Sequence, residues 1–263
     1  MRRRWLRLAV LVVTAVMTLG TVAQAQTVAD IVKKGQVSIG ILSGAPPYSS
    51  VDANGNNVGY HVDVANLIGK YLGVKVNIVP LTNANRVAAL ESGKIDIQVA
   101  QSSPTPERAQ AVMFTSPYGG YDMSVFAKNS TVIRSADDLK GKRVSVPRGG
   151  VQDIALSGLH IPGLEVVRYD DDATAIQALL SGQADACAQG ATIIAMIIKD
   201  QPNANLEIKF PLFFQTFSIG TRLDSFQLHQ WLNNFIFYVK LSGELDAIHR
   251  KWIGVPLPNL PVF

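Results

Sequence analysis

The chain has 263 residues, 48% of them hydrophobic, with 24 basic and 20 acidic residues and a formal charge of +4. Residues 1–25 hold four arginines and no acid, so the remainder is neutral, with 20 basic and 20 acidic residues, and gives no electrostatic case for a nucleic-acid or membrane-surface partner. The single cysteine, Cys187, excludes an intrachain disulfide and a cysteine-based zinc cluster.

Residues 1–25 read as a cleavable secretory signal. Arg2, Arg3, Arg4 and Arg7 form the positive end, residues 8–19 are apolar, and Ala23-Gln24-Ala25 is a small-x-small cleavage site. The apolar run is short for a membrane span, and no cysteine at the cleavage point offers a lipid anchor. A soluble chain starting near Gln26 and delivered to the periplasm is expected.

From there, short apolar strands alternate with helical patterns, which predicts an α/β fold with largely parallel sheets. Residues 37–42 read as a strand. Val64, Leu67, Ile68 and Tyr71 make one helical apolar face. Residues 74–79 are a β-branched strand, 85–91 a helix and 95–99 a strand. Pro106-Glu107-Arg108 then opens a predicted helix with Thr105 as its N-cap. Strands are predicted at 124–126, 143–146, 165–168 and 184–188. Helices are predicted at 173–180, 192–199, 226–241 and 245–252, the last stopping at Gly254.

Arg108 stands out locally. A cation is disfavoured at a helix N-terminus. Here the strand end Gln101-Ser102-Ser103 feeds that helix, and hydroxyls, free N–H groups and a guanidinium could converge on an anion. A solvated Arg108 paired with Glu107 is the competing local reading. Elsewhere Ala89-Leu90-Glu91-Ser92-Gly93-Lys94-Ile95-Asp96 is echoed by Ala178-Leu179-Leu180-Ser181-Gly182-Gln183-Ala184-Asp185. Two similar halves imply a cleft where strand C-termini meet a ligand. His61, His160, His229 and His249 lack metal-ligand spacing, and there is no P-loop, G-x-S-x-G or H-E-x-x-H; no metal, cofactor or catalytic residue is assigned.

Motifs along the chain resemble those of periplasmic solute-binding proteins of the polar amino-acid ABC transporter type, solute-binding protein family 3. They are Pro46-Pro47-Tyr48, Gly59-Tyr60-His61-Val62-Asp63-Val64, Ser92-Gly93-Lys94-Ile95-Asp96, Thr105-Pro106-Glu107-Arg108, Phe114-Thr115-Ser116-Pro117-Tyr118, Leu139-Lys140-Gly141-Lys142-Arg143-Val144 and Lys251-Trp252-Ile253-Gly254. The resemblance implies a two-lobe (type II) binding-protein fold with hinges near residues 118–122 and 215–219. Lobe 1 is then 26–120 with 217–263, and lobe 2 is 121–216. It implies hinge closure on a small solute and delivery to an inner-membrane ABC permease, by a monomer that binds no nucleic acid.

The resemblance also implies ligand positions. Arg108 falls on the carboxylate clamp, with Gln101 and Ser103 beside it. Tyr48 falls on an aromatic wall, where Ala45 replaces a usual aromatic residue. Asn83, with Asn85 next to it, falls on the side-chain pocket. Gly149, Gly150 and Val151 form a turn whose N–H groups can meet the same carboxylate. Two departures are plain: His61 stands where an acid is usual, at a site read as structural, and the acid that holds a ligand ammonium is replaced by Gly190, preceded by Gln189. The carboxylate half of amino-acid recognition is thus kept and the amine half is not, so weak discrimination against amine-free analogues is expected. The ligand is a small carboxylate-bearing solute, an amino acid by default and a non-amino organic acid as rival. A cyclohexadienyl-dehydratase-like enzyme would need an acid or base in the cleft, and none is placed there from sequence. A covalent sensor is disfavoured by a chain ending at Phe263 without a membrane helix or kinase.

Overall fold

The computed structural model describes residues 27–261, and the predicted signal lies outside them. In chain order the elements are α1 Val28–Lys34, β1 Gln36–Leu42, β2 Ser50–Val51, β3 Asn57–Val58, α2 Tyr60–Leu72, β4 Lys75–Leu81, α3 Arg86–Glu91, β5 Ile97–Ser102 and β6 Val112–Lys128. They continue with β7 Arg143–Pro147, α4 Val151–Gly158, β8 Glu165–Tyr169, α5 Asp172–Leu180, β9 Ala186–Gly190, α6 Ala191–Asp200, β10 Leu206–Arg222, α7 Phe226–Leu241 and α8 Glu244–Ile253.

Eight strands form one sheet in the order β4-β1-β5-β10-β6-β9-β7-β8. Each flank is parallel: β1 pairs with β4 and β5, and β7 pairs with β8 and β9. The centre differs from the expectation of largely parallel strands. β10 runs antiparallel to β5 and β6, and β6 runs antiparallel to β9. The reason is length. β6 and β10 have 17 residues each, roughly 55 Å of extended chain, so each runs through both halves of the sheet. The predicted hinge segments pair with one another where they cross, Gly120 with Thr216 and Gly119 with Phe217, and the register slips between Phe217 and Ser218.

The two halves repeat one device. Asp96 donates its N–H to Ser38 O and accepts Ser38 N–H on Oδ2, both at 2.8 Å. Asp185 does the same with Arg143, again at 2.8 Å both ways. Each Asp follows a glycine at positive φ, Gly93 at 72° and Gly182 at 80°, a backbone that a Cβ disfavours. The sequence echo is therefore a staple that fixes a strand start against its parallel neighbour, once in each half.

Under the crossing lies a buried aromatic cluster of Tyr48, Tyr60, His61, Tyr118, Tyr121 and Phe217. Tyr60 and Tyr118 stack with centroids 6.0 Å apart. Tyr60 Oη donates to Tyr118 O at 2.7 Å, and Tyr118 Oη meets His61 Nδ1 at 2.9 Å. Burial pushes the His61 imidazole down to about 3, so it is neutral at physiological pH. His61 is a core residue that fixes the crossing strands. Asp63, two residues further along α2, accepts from Lys251 Nζ at 2.6 Å and Trp252 Nε1 at 2.7 Å, docking α8 on α2. Among the described residues no helix is long and apolar enough to cross a membrane.

Candidate functional site

The C-terminal ends of the parallel strands in both halves face one crevice, the place where open α/β sheets bind ligands. There Asn83, Arg86, Gln101, Tyr121 and Gln215 from one side meet Gly150, Val151, Gln152, Asp172 and Gln189 from the other. They enclose a cavity of about 10 Å³, room for about one water. A solute larger than water does not fit this cavity.

The lining is polar and under strain. Gln101, the penultimate residue of β5, has φ 50°, a left-handed conformation that costs about 1–3 kcal/mol for such a residue. Its buried Nε2 and the buried Oε1 of Gln215 have no partner among the described residues, while Gln215 Nε2 donates to Gln101 O at 3.2 Å. A donor and an acceptor are thus left unpaired in the lining.

Two buried charges oppose each other across the cavity. Arg86, the first residue of α3, is 2% exposed and donates from Nη1 to Ala100 O at 2.9 Å. Burial lowers its pKa to about 9, with neighbouring Arg108 pushing the same way, so it stays protonated at neutral pH. Asp172, the first residue of α5, is 3% exposed and accepts from Gln189 Nε2 at 2.6 Å. Burial raises its carboxyl to about 6, against the Gln189 bond and the Arg86 charge. Gln189 is committed at both ends, since its Oε1 accepts from Gly190 N at 2.9 Å.

Residues 37–255 match the family described as bacterial extracellular solute-binding proteins, family 3. The chain belongs to that family. It is 30% identical over 225 residues to the L-cystine-binding protein TcyJ of Escherichia coli (strain K12), covering 84% of each chain. It is 27% identical over 221 residues to the ABC transporter arginine-binding protein 1 of the same strain, covering 82% of this chain and 90% of that one. A crystal structure of a solute receptor for L-cysteine of Neisseria gonorrhoeae superposes with a TM-score of 0.82 at 31% identity, over 86% of this chain and 93% of that one. The two-lobe fold implied by the motifs is the fold of these family 3 relatives.

Of the positions implied by the motifs, Asn83, Gln101, Gly150, Val151 and Gln189 line the cavity. The others lie around it. Tyr48 is fully buried behind Tyr121, ring centroids 5.3 Å apart. Asn85 is exposed at the start of α3, where its Oδ1 accepts from Thr82 N at 3.0 Å. Ser103 Oγ donates to Thr216 O at 2.9 Å. The predicted helix at residue 106 is only a single 3-10 turn, Arg108–Gln110, because β6 begins at Val112. Arg108 is half-buried and reaches across the crevice, donating from Nη2 to Gly149 O at 2.9 Å and from Nη1 to Ser103 O at 3.5 Å. Two of the turn N–H groups are occupied: Gly149 N donates to Asp153 Oδ2 and Gly150 N to Pro147 O.

Gly190 is a filled position. A Cβ built there would lie 2.7 Å from the Tyr121 ring, and that ring is itself wedged against Tyr48 and Phe217. Gly190→Ala should destabilise the protein by about 1–3 kcal/mol through overpacking. Urea unfolding of the variant checks this; an unchanged midpoint would mean that Tyr121 moves aside freely.

Arg86, Tyr121, Gln152, Asp172 and Gln215 were not singled out by sequence. Two signals were present. Arg86 sits at a helix start, the same electrostatic oddity that marks Arg108. Asp170-Asp171-Asp172 holds more carboxylates than one cap needs: Asp171 caps α5 through Thr174 N at 2.8 Å, leaving Asp172 to point elsewhere.

Proposed function

We propose that this family 3 protein is the capture component of an ABC uptake system, holding a small carboxylate-bearing solute, by default an amino acid, and presenting it to an inner-membrane permease. The single observation that carries the reading is the crevice lining: buried, unpartnered amide groups with two guanidiniums beside them, at the strand ends of two facing halves. Charge-assisted bonds from Arg suit a carboxylate. Lobes of residues 26–120 with 217–263 and of 121–216, hinged where β6 and β10 cross, would part to admit it. The names of relatives, L-cystine-binding and arginine-binding among them, favour an amino acid. Periplasmic residence after signal cleavage and a monomeric state fit the same reading. Asp172 puts in the crevice an acid that the sequence did not place there, so a binding rather than catalytic role rests on the relatives, which are named as binding proteins.

A thermal-shift screen of residues 26–263 against amino acids and amine-free organic acids tests it. At least one carboxylate should raise the melting temperature by several degrees and titrate by calorimetry with a Kd in the micromolar range or below. A complete failure of carboxylates to shift melting, with a neutral sugar or a cation succeeding instead, would overturn the reading.

A further inference from the structure

The crevice is charged on both walls, and the charges have opposite sign. Arg86 on α3 and Arg108 on the turn before β6 make the first wall positive. Asp172 on α5 makes the facing wall negative. Among the described residues no cation lies within ion-pair distance of the Asp172 carboxylate, and its hydrogen-bond partner, Gln189, is neutral. A buried carboxylate held only by a neutral amide is an expensive arrangement. Gln189 spends both ends of its side chain on keeping Asp172 in place. Tyr121 fills the space beside Gly190, so no carboxylate can stand at the end of β9.

We propose that Asp172 receives the α-ammonium of an amino-acid ligand whose carboxylate lies toward Arg86 and Arg108, so that the crevice reads a zwitterion end to end. The inference rests on the carboxylate reading given above. It replaces weak discrimination, expected from Gly190 alone, with strong discrimination: the acid is present, supplied by the start of α5 instead of the end of β9. An amine-free acid would leave Asp172 buried and unpaired, which is what makes such a site reject it. The bland alternative is that Asp172 only offsets the charge of Arg86 through space.

Calorimetry at pH 7.5 separates these. The probes are the coded L-amino acids and L-cystine, each beside its amine-free counterpart, such as L-glutamate with glutarate, L-arginine with 5-guanidinovalerate and L-cystine with 3,3′-dithiodipropionate. Wild type should bind one amino acid at least a hundredfold more tightly than its counterpart. Asp172→Asn should weaken that amino acid a hundredfold or more and change the counterpart less than threefold, collapsing the ratio. Asp172→Glu, which keeps the charge, should recover at least a tenth of the wild-type affinity. Melting curves of each variant report folding, and the wild-type pair needs no variant. Equal affinity of wild type for both members of the pair, or equal weakening of both by Asp172→Asn, would overturn the role of Asp172 and leave the carboxylate reading standing. Failure of wild type to bind any member of any pair would overturn both.

Discussion

Arg108→Ala should bind the ligand at least a hundredfold more weakly while keeping its fold. The guanidinium is half-buried and spans the crevice, with bonds to Gly149 O and Ser103 O that neutral acceptors supply. A ligand carboxylate would replace those with charge-assisted bonds worth about 1.5–3 kcal/mol each. Truncation removes them and leaves the carboxylate in a desolvated site, at a cost of several kcal/mol. The fold should tolerate the change, because the turn carrying Arg108 is one 3-10 turn with no buried residue. Calorimetry and a thermal melt decide the matter together. Binding within a few-fold of wild type would remove Arg108 from recognition and leave Arg86 as the anion contact.

Asp172→Asn should make the ligand-free protein more stable at pH 7.5. The folded carboxyl is raised to about 6 from 3.8 by burial. The folded state therefore holds its proton where the unfolded state has lost it, and stability from this group is present below pH 3.8 and lost as pH rises to about 6. Two pKa units correspond to about 3 kcal/mol as an upper figure, or several degrees of melting temperature for a chain of this size. Asn keeps an acceptor for Gln189 and carries no charge. The difference in melting temperature between the two proteins should be full above pH 6 and vanish near pH 4. Arg86, Asp171 and Tyr121 surround the group and are unchanged in the variant. A variant less stable than wild type at pH 7.5 would mean that the ionised carboxylate is compensated better than its burial implies.

Local pattern went a long way in this chain. The flanking strands, α7 and the stop of α8 at Gly254 lay in apolar periodicity and glycine placement. The Asp96 and Asp185 staples lay in the internal echo. What failed has physical causes. β6 and β10 carry Pro117, Gly119, Gly120 and Pro211 inside them, and such residues read as breaks in a strand. α4 buries Gln152 and Asp153 beside Val151 and Leu156, so no apolar stripe announces it. The lining of the candidate site was half legible. Asn83, Gln101 and Gln189 came through likeness to the family. Arg86 and Asp172 line the crevice together from 86 positions apart in sequence, and no local spacing encodes that meeting. Likeness pointed to residue 190 for an acid, and it had no means of pointing to residue 172.

The bond from Arg108 to the Gly149 carbonyl makes the protein its own competitor. The guanidinium that would clamp a solute is, in this arrangement, clamped to the opposite wall over a cavity of about 10 Å³. If Arg108 clamps the solute as proposed, any time the free protein spends this way is withheld from it. If nine-tenths of the population were latched, apparent affinity would fall about tenfold with every ligand contact intact. Affinity can then be tuned by changes that never touch the solute. Asp153, which holds Gly149 from behind and is itself held by Arg168 at 2.9 Å, is placed to set that fraction.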